Sequence, residues 1–212
     1  DIHGIAWDLQ SNPIPDLLHS LKDLKSEQSV VFSHTKGLMD LQASIDSKES
    51  LGLQKYLSEL DSNDVGPFIE DLGLYGNYMH GTHVAGIAIK DNPFAKILPV
   101  RITFDYKSMP SICPSKELAE KSAKAFEKTV EYLQQAGVRV VNMSWGGSRG
   151  FIESALEKCQ IGKTSEERAE MARKYFQIEK SSMKEVMQNA DNILFVTSAG
   201  NSNNNVTFDE MV

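Results

Sequence analysis

The second half of the chain alternates short β-branched segments with long amphipathic ones, and this alternation limits the fold more than any other feature of the sequence. Residues 96–102, 138–143 and 192–197 predict strands. The intervals between them contain helical patterns at about 115–136 and 164–189. An order of strand, helix, strand, helix, strand is typical of a parallel sheet with crossover helices, so we predict an α/β fold.

Residues at the ends of these segments support both helices. Ser115 can cap the first helix, and Gly137 suits the position just past its end. Glu166 and Glu167 fall in the first turn of the second helix, where the helix dipole favours acidic side chains. In the first strand Pro99 is the one residue at odds with the prediction, because it has no N–H to donate to a ladder.

The region before Asp71 has a different pattern. Apolar residues fall at helical spacing in separate pieces between residues 15 and 60, joined by polar residues. We interpret residues 12–70 as a helical insertion of two or three short helices at the periphery of the fold.

Composition narrows the classes of partner. The 212 residues include 22 Lys and Arg against 29 Asp and Glu, a net charge of −7, which argues against nucleic acid as the main partner. No apolar run approaches the roughly 20 residues that a membrane span needs. The two cysteines, Cys113 and Cys159, can form one bridge or none, and neither lies near a candidate catalytic motif.

The densest candidate motif is His-Gly-Thr-His-Val-Ala-Gly at residues 80–86. A histidine followed by small and apolar residues suits the first turn of a buried helix, and histidine is the usual general base near neutral pH. Gly86 would let another backbone come close. His80 can equally be an ordinary exposed histidine, or bind metal with His83; no cysteine or glutamate nearby completes a zinc set, so we assign no metal.

Two further candidates follow predicted strands, where ligands bind in parallel sheets. Residues 144–147, Ser-Trp-Gly-Gly, would allow an extended peptide to approach the backbone, or form an ordinary loop. Asn201, after Ser198-Ala199-Gly200, can donate its side-chain amide to a developing oxyanion, or simply form a turn. Ser144 does not lie in a Gly-x-Ser-x-Gly nucleophile motif.

These three segments, in this order, resemble the subtilisin-like serine proteases, or subtilases. The resemblance covers roughly residues 75–205 and is carried by 80–86, by Val-Asn-Met-Ser-Trp-Gly-Gly at 141–147 and by Val-Thr-Ser-Ala-Gly-Asn-Ser at 196–202. It implies a three-layer α/β fold with a parallel sheet, a core over 71–205 and the helical insertion before the histidine motif.

The same resemblance implies a site and an activity. His80 would be the general base and Asn201 the oxyanion donor of a serine-type endopeptidase that acts on peptides or proteins. The implied substrate-binding residues are Ser144, Trp145, Gly146, Ser198, Ala199 and Gly200. Family habit further implies export from the cytoplasm and possible calcium binding without identified ligands; no cofactor is required.

The sequence also departs from the family pattern. The family orders its triad Asp, His, Ser, yet no Gly-Thr-Ser-x-Ala-x-Pro motif follows Asn201, and Val212 is only eleven residues further on. For the aspartate, Asp46 is a weak match because Lys48 replaces the expected glycine. We therefore expect the middle portion of a catalytic domain, inactive as this chain alone.

Two other functions stay open at this point. The chain can be a non-catalytic subtilase homologue, a peptide-binding or scaffold module that keeps the edge at residues 144–147. A nucleotide-binding α/β domain is a weaker alternative, since no glycine-rich phosphate loop opens a helix.

Overall fold

The structure is a computed structural model that describes residues 5–14, 20–103 and 112–198. Its backbone divides into two compact units, which we describe separately. The helical unit contains the described residues 20–97, and the sheet unit contains 5–14, 98–103 and 112–198. Within the described part of the chain, no helix is both long enough and apolar enough to cross a membrane.

The helical unit is built from three α-helices, preceded by a short 3-10 turn at Leu21–Asp23. They are α1 (Gln28–Gln42), α2 (Lys48–Glu59) and α3 (Val65–Ala88). Ser47 begins α2 with a capping box, in which its hydroxyl accepts from the Ser50 N–H and the Ser50 hydroxyl accepts from the Ser47 N–H. The core of the unit contains Val31, Leu53 and Leu74, one side chain from each helix.

Gly37 allows α1 and α2 to cross closely. A Cβ atom at this position would lie 2.4 Å from the carbonyl oxygen of Glu49 and 3.1 Å from the Cβ of Leu53. Both neighbours belong to α2, and the closer one is backbone, which cannot move without moving the helix. Gly37 is therefore required by packing and not by a turn.

The histidine motif does not begin a helix, contrary to the sequence-based expectation. α3 is continuous over 24 residues, and His80 lies in its second half. The helix begins at Val65, and its buried residues, Asp71 and Leu74, both precede the histidine motif. α3 also runs through the boundary expected between residues 70 and 71; whether 12–70 is an insertion stays a prediction.

The described residues of the sheet unit form four short strands and three helices. The strands are β1 (Ile5–Asp8), β2 (Val100–Thr103), β3 (Val140–Met143) and β4 (Leu194–Thr197), and the helices are α4 (Lys116–Gln135), α5 (Arg149–Lys158) and α6 (Ser165–Gln188). Strands predicted at 138–143 and 192–197 are confirmed as β3 and β4, and β2 begins directly after Pro99. Ser115 and Thr164 cap α4 and α6, which confirms both predicted helices.

The parallel pairing expected from the sequence is confirmed, but the three-layer sheet is not. β1 pairs with β2 and β3 with β4, each in parallel, as two separate two-stranded sheets among the described residues. On one face of the β3–β4 pair, Val141 and Phe195 pack against a core from α4 and the segment after α6. On the opposite face Val140 is 58% and Leu194 62% exposed, so no helix among the described residues covers that face.

A disulfide joins Cys113 and Cys159, which decides the question that the sequence leaves open. The bridge links the segment just before α4 to the residue that ends α5, and the two Cα atoms are 5.8 Å apart. It closes a loop across 46 positions of sequence and so fixes α5 to the start of α4.

Candidate functional site

His80 is exposed on the second half of α3. His83, one turn further along, is exposed as well. Nearby, the Thr82 hydroxyl donates to the Tyr78 carbonyl at 2.9 Å, a contact within the helix. An exposed imidazole can exchange protons with a bound substrate or with water, as a general base must.

The surroundings of the motif differ from the expectation in two respects. A Cβ atom at Gly81 or Gly86 would meet nothing within 4 Å, so the close backbone approach expected at Gly86 is not made by any described neighbour. Among the residues that the structure describes, no group of three His, Cys, Asp or Glu side chains could hold a metal ion.

The segments after β3 and β4 meet at the carboxyl ends of these strands. The Ser198 N–H donates to the Met143 carbonyl at 3.2 Å, and the Ser198 hydroxyl donates to the Trp145 carbonyl at 3.4 Å. Two of the sequence motifs are thus neighbours in space, as parallel strands require. Trp145 is 45% exposed beside this junction, and Gly146 is exposed.

Ser144 is held by its own strand. Its hydroxyl oxygen accepts from the side-chain amide of Asn142 at 2.9 Å. That contact orients the hydroxyl but does not activate it, because an amide N–H cannot remove a proton. Within the described residues this contact provides no base for Ser144, and its expected role in substrate binding stays a prediction.

Ala199, Gly200 and Asn201 lie outside the described residues, so their expected roles stay predictions. Ser198 is the last residue before them that the structure describes. His80 belongs to the helical unit and Ser144, Trp145, Gly146 and Ser198 to the sheet unit.

Two acidic residues that sequence reasoning missed stand out in the structure, Asp71 by its burial and Glu179 by the raised pKa of its carboxyl. Asp71 in α3 is only 4% exposed, and its carboxylate accepts from the backbone N–H groups of Lys25 and Ser26 at 2.7 and 2.8 Å. Burial raises the pKa of Glu179 in α6, although a hydrogen bond with Ser122 opposes the shift. Each occupies an unremarkable position in a helical pattern, and only tertiary packing distinguishes it.

Comparison with known protein families identifies the family in which these motifs occur together. A model of peptidase family S8, described as the subtilase family, matches residues 61–211, which is more than half of the chain. The chain belongs to the subtilase family. No match was found among curated proteins or among solved structures.

All three motif segments of this subtilase lie inside the matched range. The match begins at residue 61, four residues before α3 starts, and therefore includes the whole helix that carries His80. Asp46 falls outside the match, in the turn between α1 and α2, where it is exposed. A family aspartate would be expected at the end of a buried strand, so this position of the subtilase does not suit that role.

Proposed function

We propose that the protein from which this chain comes is a serine-type endopeptidase. The observation that carries the proposal is the family match over residues 61–211, which contains the histidine, strand-edge and asparagine motifs together. Members of a protease family act on peptides or proteins, so the proposed substrate is an extended peptide.

The proposed reaction is acyl transfer. A serine hydroxyl attacks the scissile carbonyl, His80 takes the hydroxyl proton and later gives it to the leaving amine, and an aspartate orients the imidazole. Asn201 donates to the oxyanion of the tetrahedral intermediate. Neither the family's serine motif nor a convincing aspartate motif occurs within these 212 residues, so we propose that this chain supplies only part of the machinery.

The substrate would lie along β3 and the residues that follow it. Among the described strands β3 pairs only with β4, so its other edge can hydrogen-bond an added strand. The absence of a side chain at Gly146 would let a peptide backbone approach, and Trp145 would border the first side chain of the substrate.

Labelling of the 212-residue chain tests the proposal that it is inactive alone. Incubation with a fluorophosphonate probe and with casein is expected to give neither a labelled serine nor cleavage. Specific labelling that heat denaturation abolishes would contradict this part of the proposal.

Variants of a longer protein that carries a complete triad test the assigned roles. His80→Ala should remove peptidase activity, and Asn201→Ala should lower kcat by about 10²–10³, a magnitude already measured in subtilisin that we adopt without deriving it. His83→Ala is the matched control and should retain most activity. Equal losses at His80 and His83 would contradict the assignment of the base.

A non-catalytic peptide-binding module is the second candidate, and it is favoured by the exposed Trp145 next to the edge of β3 that no described strand pairs with. A Trp7→Phe variant leaves Trp145 as the single tryptophan, so its fluorescence can report peptide binding. Binding supports both candidates. The coding sequence on either side of this segment separates them, because Asp-Thr-Gly upstream and Gly-Thr-Ser downstream would indicate an enzyme.

We also propose that the protein acts outside the cytoplasm. The disulfide between Cys113 and Cys159 supports this, since such bridges persist in oxidising compartments. Calcium binding is proposed only on the habit of the family, without a ligand set.

A further inference from the structure

α3 consists of two halves with different surroundings. Asp71 and Leu74 in its first half are buried, and no residue beyond Leu74 is. The second half, residues 76–88, contains Gly76, Gly81 and Gly86, and a Cβ atom at any of these would meet nothing within 4 Å. The half of the helix that carries His80 is therefore rich in glycine, and its described side chains are half-buried or exposed.

Such a segment would not remain helical by itself. Isolated helices shorter than about 12–15 residues are marginal in water even when they are rich in alanine. Each glycine lowers the helix propensity further, because it loses more backbone freedom than alanine when the helix forms. The helical state of 76–88 thus depends on a nucleus, and α3 supplies one by being continuous with its packed first half.

Asp71 fixes that first half. Each of its two carboxylate oxygens accepts one backbone N–H, from Lys25 and from Ser26, in the segment that leads into α1. Hydrogen bonds to an ionised, buried acceptor are the strong kind. One turn further on, the Tyr75 ring packs edge-on against Phe32 of α1, with the centroids 6.4 Å apart.

We propose that Asp71, assisted by Tyr75, is a positioning residue for His80. The inference rests on the proposed function of His80 as general base. Asp71 lies nine residues before His80, about 14 Å along the helix axis, so it acts through the helix and not by contact. By holding the first half of α3, it keeps the histidine motif helical and gives the imidazole a defined direction.

Hydrogen–deuterium exchange on the full 212-residue chain measures the helical state of 76–88 directly. In Asp71→Asn the amides of this segment should exchange about tenfold faster, since one charged acceptor is lost at the anchor. Asp61→Asn is the matched control: Asp61 also accepts a backbone N–H, from Asn63 at 2.9 Å, but lies in an exposed turn outside α3. It should leave exchange over 76–88 unchanged.

A rescue separates positioning from a general loss of stability. Adding Gly76→Ala and Gly86→Ala to Asp71→Asn raises the intrinsic helix propensity of the second half without restoring the anchor. Exchange over 76–88 should slow again towards the original rate, while exchange at Lys25 and Ser26 should stay fast. Unchanged exchange over 76–88 in folded Asp71→Asn, or an equal effect in Asp61→Asn, would overturn the proposal.

If Asp71→Asn does not fold, Phe32→Leu replaces it, because Phe32 is half-exposed and packs against Tyr75 in the same anchor. Unchanged exchange over 76–88 in Phe32→Leu would also overturn the proposal. Exchange needs no turnover, so this test is independent of the proposed function. In a catalytically complete protein, Asp71→Asn should lower kcat with little change in KM. If exchange responds but no activity depends on His80, the proposed function fails and the anchoring stands.

Discussion

Two partly buried ionisable groups in this chain make its stability sensitive to pH. Glu179 is the clearest case in the sheet unit: burial raises the pKa of its carboxyl above the ordinary value of 4.5. A raised pKa means that the folded state holds the proton more tightly than the unfolded state. The stabilisation is therefore complete below pH 4.5 and is lost as the pH rises through the folded pKa.

Glu179→Gln should accordingly raise the urea concentration at the unfolding midpoint at pH 7.5, because glutamine keeps the shape of the side chain without its charge. Near pH 4 this midpoint should not change. Glu185→Gln on the exposed face of the same helix is the control and should change neither midpoint. A Glu179→Gln midpoint at or below that of the original chain at pH 7.5 would contradict the assignment.

In the helical unit, His34 makes stability depend on pH in the opposite direction. Its ring packs between Tyr56 of α2, at 4.4 Å between centroids, and Phe68 of α3, at 5.5 Å, and burial lowers the pKa of the imidazole from 6.5. The neutral form is favoured in the folded state, so the stabilisation is complete above pH 6.5 and is lost as the pH falls through the folded pKa.

Replacing His34 by phenylalanine keeps a ring at this position and removes the titration. Thermal denaturation of His34→Phe should show a smaller loss of stability between pH 7 and pH 5 than the original chain shows. His83→Gln, at an exposed histidine of the same unit, should keep the original dependence. The idea fails if the two variants lose stability equally.

At the level of elements, the contact between α1 and α2 depends on one missing side chain. Gly37→Ala places a methyl group 2.4 Å from a backbone oxygen of α2 and should cost about 1–3 kcal/mol, as overpacked substitutions do. Gly52→Ala in α2 is the matched change, since its Cβ meets nothing within 4 Å, and should gain up to about 1 kcal/mol. Chemical denaturation of both variants checks the pair; a neutral Gly37→Ala would show that the helices can separate freely.

Elements with local signals were predictable from sequence. The cap at Ser115, the acidic first turn of α6 and the β-branched runs of β3 and β4 are encoded in neighbouring residues, and the structure has them where the patterns place them. Pro99 is the one residue that does not fit the strand predicted at 96–102, and β2 begins directly after it. Proline has no N–H to donate to the neighbouring strand.

Elements set by tertiary contacts were not predictable. α3 begins at Val65, fifteen residues before His80, so the pattern around His80 could not show that the helix had already begun. The disulfide depends on how α4 and α5 pack, and two cysteines 46 positions apart carry no sign of it. For the site, the motifs identify residue types, whereas the contact of Ser198 with Trp145 requires the pairing of two strands.

At the scale of the whole molecule, the disulfide is a covalent constraint within the sheet unit. A bridge across 46 positions removes loop-closure entropy from the unfolded chain and should contribute about 2–4 kcal/mol. Dithiothreitol should lower the urea midpoint correspondingly. A Cys113→Ser, Cys159→Ser double variant should have the lower urea midpoint without reductant, and dithiothreitol should not change it. If dithiothreitol lowers the midpoint of the double variant as well, the loss of the bridge does not explain the effect of the reductant.

The continuity of α3 across residues 70 and 71 restricts how this protein can have changed length during evolution. Insertions and deletions are tolerated where the chain is exposed and irregular, and a helix interior is not irregular. Precise excision of residues 12–70 would cut α3 six residues after its start and would remove Val31 and Leu53, which form the core of the helical unit together with Leu74. A change of length that leaves α3 whole would therefore have to end before Val65, and the family match begins just ahead of that residue, at position 61.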